Sequence, residues 1–123
     1  MPPIMSSSFQ AEFLPDTEGH PRILSLAGRI SYREAPHLRA TLFGAISPAG
    51  HHLFIDLAKV EAMDTAALAV LVEGMVATED KEQEIFLCAP SDSVRRIFHL
   101  AGLESALAKC WDCVDSASRA IAE

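Results

Sequence analysis

Two short apolar runs, each followed by a segment with helical periodicity, constrain the fold of this chain more than any other feature. His52–Leu57 and Glu84–Ala89 are mostly apolar and too short for helices, which is typical of strands inside a covered sheet. Thr65–Thr78 and Ser93–Leu100, which follow them, have the apolar spacing of helices. Alternation of strands and helices predicts an α/β fold in which neighbouring strands are parallel and helices cover the sheet.

The segment before these runs predicts two further strands and a helix. Ser8–Leu14 alternates polar and apolar residues, and Arg22–Ala27 reads as a strand that ends at Gly28. The short turn between them predicts an antiparallel pair. Arg33–Ile46 has the spacing of a helix, and Ala58–Met63 is predicted to be a connection rather than a strand.

The end of the chain completes the predicted fold. A weak strand at 106–110 and a helix at 115–122 give the order β-β-α-β-α-β-α-β-α. We therefore expect a small mixed sheet of about five strands covered by about four helices. Residues 1–7 are small, polar and proline-containing, and we expect them to form a flexible tail before a single domain at 8–123.

Charge and hydropathy exclude several classes of protein. The chain of 123 residues has 17 acidic and 10 basic side chains, a net charge of −7, which disfavours nucleic-acid binding. No apolar run reaches the ~18–20 residues that a membrane-spanning helix needs. The first residues have neither the basic region nor the apolar core of a signal peptide, so a cytoplasmic protein is expected.

Residues that could carry catalysis or bind a metal are few. His51 and His52 are adjacent before a strand, so their side chains are expected to point to opposite faces and to chelate poorly. Cys110 and Cys113 form a C-x-x-C pair without the second ligand pair of a zinc site. We expect reduced structural cysteines, with redox or metal chemistry as the alternative. No cofactor, metal or enzymatic activity is predicted.

The start of the second predicted helix carries the most informative residues. Asp64 is placed to cap the free N–H groups of that helix, and Thr65 would be its first residue. A structural capping role explains the pair completely. The same position also suits a phosphorylated hydroxyl, because a helix N-terminus favours an anion.

From Arg22 onward, the chain resembles the STAS domain, the family of bacterial anti-sigma factor antagonists. Asp64–Ala69 is similar to the family's Asp-Ser-[Ser/Thr]-Gly-Leu-[Gly/Ala] segment. Leu53–Val60 matches its hydrophobic strand with Asp-Leu and a turn, and Val94–Leu103 matches its later helix and Gly-Leu exit. Gly28–Ser31 resembles the family's Gly-x-[Ile/Leu]-Asp strand end.

This resemblance implies a regulatory, non-enzymatic role. Thr65 stands at the hydroxyl that a partner kinase, itself the anti-sigma factor, phosphorylates in the family. Asp64, Ser31, Ala66 and Ala67 are implied to form the partner-binding surface. Ser31 stands where phosphorylated members often have an Asp associated with kinase recognition, and Ala66-Ala67 replaces Ser/Thr-Gly.

Two alternative functions remain open from the sequence. The Asp-Thr-Ala-x-Leu-Ala segment is also similar to the small STAS subunit of bacterial lipid-transport ABC complexes, which contacts an ATPase without a phosphorylation switch. An enzyme is the third hypothesis, for which Asp64 and the pair Cys110 and Cys113 are the only candidate catalytic residues.

Overall fold

The computed structural model describes residues 9–14, 22–46, 52–78, 84–103 and 105. These residues form the four strands and three helices of a mixed α/β fold, as the sequence predicts: β1 Gln10–Leu14, β2 Arg22–Ile30, α1 Ala35–Ala45, β3 Leu53–Met63, α2 Thr65–Ala77, β4 Ile85–Cys88 and α3 Asp92–Leu100. The three helices begin and end within two residues of their predicted limits. The predicted tail at 1–7, strand at 106–110 and helix at 115–122 lie outside the described residues.

The four strands form one sheet in the order β1-β2-β3-β4. β1 is antiparallel to β2, which confirms the pair predicted from their short connection. β2, β3 and β4 are parallel to one another, and the connections between them contain α1 and α2. The predicted parallel arrangement is therefore confirmed for the central strands.

Strands β2 and β3 are longer than predicted. Gly28 does not end β2, which continues to Ile30 through a positive φ of 88° at Gly28 and a shift of register between Gly28 and Arg29. The prediction of a connection at Ala58–Met63 is wrong, because that segment pairs with the added part of β2 up to the pair Ile30 and Met63. Each extension supplies hydrogen-bonding partners for the other's backbone, which neither segment has alone.

The main core lies between the three helices and one face of the sheet. α1 packs against α2, and α3 packs against β3. The largest fully buried side chains come from all these layers: Phe98, Leu24, Leu26, Ile30, Leu38, Leu42, Leu53, Ile55, Leu57, Leu71 and Val60. A second, smaller cluster of Phe54 and Cys88, with Ile23 and Phe86 against it, lies on alternate strand positions. This packing places the start of α2 next to the carboxyl ends of β2 and β3.

Candidate functional site

The carboxyl ends of β2 and β3 meet at the start of α2. The backbone N–H of Asp64 donates to the carbonyl of Ile30 at 3.1 Å, which continues the parallel pairing beyond the last strand residue. Ser31 follows Ile30, and Thr65 follows Asp64. The sheet therefore brings together Ser31, Asp64 and Thr65, three of the residues that the sequence implicates in function.

Asp64 holds this junction with both carboxylate oxygens. Oδ1 accepts a hydrogen bond of 3.0 Å from the backbone N–H of Ala67, so the predicted N-cap of α2 is confirmed. Oδ2 accepts a hydrogen bond of 2.8 Å from the backbone N–H of Tyr32 in the connection between β2 and α1. Hydrogen bonds to an ionised acceptor are stronger than neutral ones. Asp64 thus fixes that connection to the start of α2.

The connection between β2 and α1 is held by a contact between Ser31 and Glu34 that resembles a capping box and that the sequence analysis missed. We call it the capping box, although it lies ahead of α1, whose own N-cap, Glu34, makes no side-chain cap bond. Glu34 Oε1 accepts from both the backbone N–H and the hydroxyl of Ser31, each at 2.8 Å. The Ser31 hydroxyl also accepts from the backbone N–H of Arg33 at 3.2 Å. A Ser followed three residues later by Glu before a helix is the sequence signal of this motif. Ser31 therefore has a structural role in holding the loop.

The predicted residues at the start of α2 differ in accessibility. Thr65 is exposed, and its hydroxyl makes no hydrogen bond with the part of the chain that the structure describes. Ala66 is half-buried, whereas Ala67 has no exposed area and belongs to the main core. The methyl group that replaces the family's glycine at Ala67 therefore points into the core. The side chain of Ala67 is therefore not exposed to a partner, and its backbone N–H is used in the cap of α2.

An open apolar cavity of ≈ 390 Å³ begins at Thr65 and follows the outward side of α2. Its lining combines residues of α2 with residues that follow α3: Thr65, Leu68, Ala69, Val72, Glu73, Ala101 and Leu103. The one charged side chain in this lining is Glu73, which forms an ion pair with Arg39 of α1. The periodicity of α2 did not reveal this surface, because its inner and outer sides are both apolar.

Tyr32 and Arg33 form an exposed pair in the connection that is hydrogen-bonded to Asp64. Tyr32 is 65% exposed, and the Arg33 guanidinium lies over its ring at 5.8 Å from the centroid. Arg33 Nε donates to the Tyr32 hydroxyl at 3.3 Å, and this hydrogen bond raises the pKa of Arg33. No sequence pattern singled out these two residues.

The described residues contain no group of three His, Cys, Asp or Glu side chains that could hold a metal ion. His52 is half-buried, accepts the backbone N–H of Glu84 at Nδ1 (3.1 Å) and packs edge-on against Phe86. Cys110 and Cys113 lie outside the described residues. In the same part of the chain, no helix is both long and apolar enough to cross a membrane.

Comparison with models of known protein families identifies the family of this chain. The family model of the STAS domain matches residues 13–117. The chain belongs to the STAS domain family. The match includes the whole of β2 to α3, so it contains the capping box, the Asp64 junction and the cavity. The resemblance stated from the sequence is confirmed.

Solved structures of similar proteins match almost the whole chain. An anti-sigma factor antagonist from Mycobacterium paratuberculosis is 26% identical, with 94% of this chain and 96% of that chain covered and a TM-score of 0.76. A STAS domain protein from Planctomyces limnophilus, also named an anti-sigma factor antagonist, is 16% identical, with 92% and 98% covered and a TM-score of 0.77. The phosphorylated SpoIIAA of Bacillus is 18% identical, with 93% and 99% covered and a TM-score of 0.63. Because these last two proteins are only 16% and 18% identical to the chain, they show that the fold is shared and no more.

Proposed function

We propose that this STAS domain is a non-enzymatic, cytoplasmic regulator that acts as an anti-sigma factor antagonist. Its partner is an anti-sigma factor that is also a kinase, and it binds this partner through the start and outward side of α2. Phosphorylation of Thr65 by the kinase then separates the two proteins. The observation that carries this proposal is the exposed hydroxyl of Thr65, which has no hydrogen-bond partner among the described residues and lies at the rim of an apolar cavity.

The apolar side of α2 supports a protein partner. A surface helix normally presents charged or polar residues to water. Along α2, the residues from Thr65 to Ala77 include a single charged side chain, Glu73, while Ala69 is exposed and Val76 is 57% exposed. Contiguous exposed apolar surface of this kind is typical of interaction sites. Covering it would release free energy of about 25 cal/mol for each Å² of apolar area removed from water.

Phosphorylation would act on this surface through charge. A phosphoryl group on Thr65 adds about −1.5 to −2 charges at neutral pH. In the free protein this group lies in water at a helix N-terminus, where an anion is favoured. In a complex it would be buried beside the Asp64 carboxylate against an apolar partner, at a cost of several kcal/mol. Phosphorylation is thus expected to weaken the complex much more than it affects the fold.

The named relatives are consistent with this role. The Mycobacterium protein is named an anti-sigma factor antagonist and is similar along nearly its entire length, and SpoIIAA exists in a phosphorylated form. For this chain, the kinase and the phosphorylation of Thr65 are part of the proposal.

The test uses the purified chain, ATP and the candidate anti-sigma factor kinases of its source organism. Mass spectrometry is expected to find a phosphoryl group on Thr65, and Thr65→Glu is expected to bind the kinase at least tenfold more weakly than the wild type. The matched control is Ser93, an exposed hydroxyl in the first turn of α3. Ser93→Glu is expected to bind as the wild type does.

The proposal is wrong if Thr65 stays unmodified and Thr65→Glu binds as tightly as the wild type. Tight binding instead to the ATPase of a lipid-transport ABC complex, unchanged in Thr65→Glu, would indicate the alternative transport role.

A further inference from the structure

We propose that Tyr32 and Arg33 form a second contact of this binding surface and recognise a carboxylate-bearing segment of the partner protein. The inference rests on the proposed function, since it specifies the chemistry of the partner at the same site. It concerns two residues that neither the sequence motifs nor the phosphorylation switch uses.

The position of the pair is fixed by the hydrogen bonds beneath it. The backbone N–H of Tyr32 donates a hydrogen bond to Oδ2 of Asp64. Asp64 is the residue directly before Thr65. The backbone of Arg33 is bound to the Ser31 hydroxyl within the capping box. Both side chains nevertheless extend into solvent. A rigid backbone with two exposed large side chains can bind without the cost of ordering a loop.

Within the described part of the chain, the Arg33 guanidinium interacts electrostatically with Glu34 but forms no ion pair. Among the described residues, Arg29 and Arg39 pair with Glu61 and Glu73. Arg33 has no carboxylate oxygen within ion-pair distance in that part of the chain, and the same is true of the exposed side chains Lys59, Arg95 and Arg96. The two carboxylates that hold the backbone of this connection have other roles. Asp64 accepts two backbone N–H groups, and Glu34 Oε1 accepts both donors of Ser31. The Tyr32 hydroxyl and ring hold the guanidinium in place.

A carboxylate is the group that this arrangement fits. Guanidinium groups bind carboxylates through two parallel hydrogen bonds, and the Tyr32 ring adds apolar contact beside them. Tyr and Arg are also the residue types that contribute most to binding free energy at interfaces. The chain has a net charge of −7, so a local cation in the β2–α1 connection discriminates among partner segments rather than attracting anions generally.

The same chemistry links this contact to the proposed switch. Where the Arg33 guanidinium reaches it, a phosphoryl group on Thr65 would be a stronger acceptor than a partner carboxylate, because it carries more charge. Phosphorylation would then weaken the partner's contact with Arg33 as well as its contact with α2.

The test uses two synthetic dodecapeptides with the same leucine positions, one with glutamate and one with lysine at all other positions. Each is titrated into the unphosphorylated, ¹⁵N-labelled full chain and followed by NMR. The glutamate peptide is expected to shift the amide signals of Tyr32, Arg33 and Thr65. Arg33→Glu is expected to weaken its binding at least tenfold. The matched control is Arg96→Glu, which makes the same charge change at an exposed position of α3 and is expected to change binding less than twofold.

Three results would overturn the inference: equal or tighter binding of the lysine peptide, equal weakening by Arg33→Glu and Arg96→Glu, or no shift at Tyr32 and Arg33. Unchanged signals elsewhere in the spectrum of Arg33→Glu establish that this variant is folded. Because the titration needs neither a kinase nor a modified Thr65, its failure is distinct from failure of the phosphorylation switch.

Discussion

The carboxylate of Asp64 joins its own helix to the backbone of Tyr32, a residue 32 positions earlier in the chain. The second oxygen of the same carboxylate caps α2 through the N–H of Ala67. One side chain therefore sets the position of the β2–α1 connection relative to the helix that starts at Thr65. Changes at Asp64 are expected to affect both segments together.

Asp64→Ala is expected to lower the free energy of unfolding by about 2 kcal/mol, because it removes an N-cap and a charge-assisted hydrogen bond. Urea unfolding followed by circular dichroism measures this change. Hydrogen exchange should become faster at the amides of both Tyr32 and Ala67. The control is Asp92→Ala, an exposed acidic residue in the first turn of α3, with an expected loss of about 0.5 kcal/mol. Equal losses in the two variants would contradict the bridging role.

Glu34→Ala tests the capping box before α1. Loss of the two hydrogen bonds from Ser31 is expected to reduce the free energy of unfolding by about 1 kcal/mol. Glu61→Ala removes an exposed ion pair of 3.8 Å with Arg29 and should cost less than about 0.5 kcal/mol. Chemical denaturation of both variants decides the point. A smaller effect at Glu34 than at Glu61 would show that the box does not stabilise the fold.

The two helical glycines are expected to respond oppositely to alanine. A Cβ at Gly74 would lie 2.6 Å from Leu42 Cδ2 and 3.3 Å from Leu42 Cγ, where α1 packs on α2. Because Leu42 is fully buried, Gly74→Ala should destabilise the protein by about 1 kcal/mol even after the gain in helix propensity. Nothing lies within 4 Å of a Cβ at Gly44, so Gly44→Ala should stabilise it by up to about 1 kcal/mol. Thermal unfolding of both variants measures the difference, and a shift of the same sign in both would refute it.

A charge placed on the outward side of α2 should disrupt partner binding without unfolding the protein. Ala69 is exposed and lines the apolar cavity, so Ala69→Glu is expected to weaken the proposed complex with an anti-sigma factor kinase at least tenfold, about 1.4 kcal/mol. Ala40 is also an exposed alanine, in α1, and Ala40→Glu is expected to leave the affinity unchanged. Isothermal titration calorimetry with both variants measures the affinities. Wild-type affinity in Ala69→Glu would place the contact elsewhere.

Local chemistry explains why the sequence predicts the start of α2 so well. Asp64 caps through atoms three residues away, so its role depends on nearby sequence alone. The Ser31–Glu34 box is equally local and could have been recognised from the Ser-x-x-Glu spacing. The apolar runs of β3 and β4 likewise predicted buried strands, because burial on both faces leaves little freedom in composition.

The length of β2 and β3 depended on information that neither segment contains. Gly28 reads as a strand end, and Ala58–Met63 includes Lys59 and Glu61, which are unusual in a covered strand. Their pairing overrides both signals, because it provides hydrogen bonds for two stretches of backbone at once. The position of Tyr32 beside Asp64 was equally unpredictable, since it depends on the pairing of two strands that are far apart in the sequence.

The sequence by itself determined the α/β class, the family resemblance and the position of Thr65 at a capped helix start. Those properties follow from periodicity and from hydrogen bonds that span a few residues. Only the tertiary structure decided that Ala67 is turned into the core while Thr65 is exposed, that an apolar cavity lies along α2, and that Tyr32 and Arg33 are held beside Asp64. These properties depend on which elements pack against each other. The apolar pattern of α2 does not show which side faces the core, because its outer side is as apolar as its inner side.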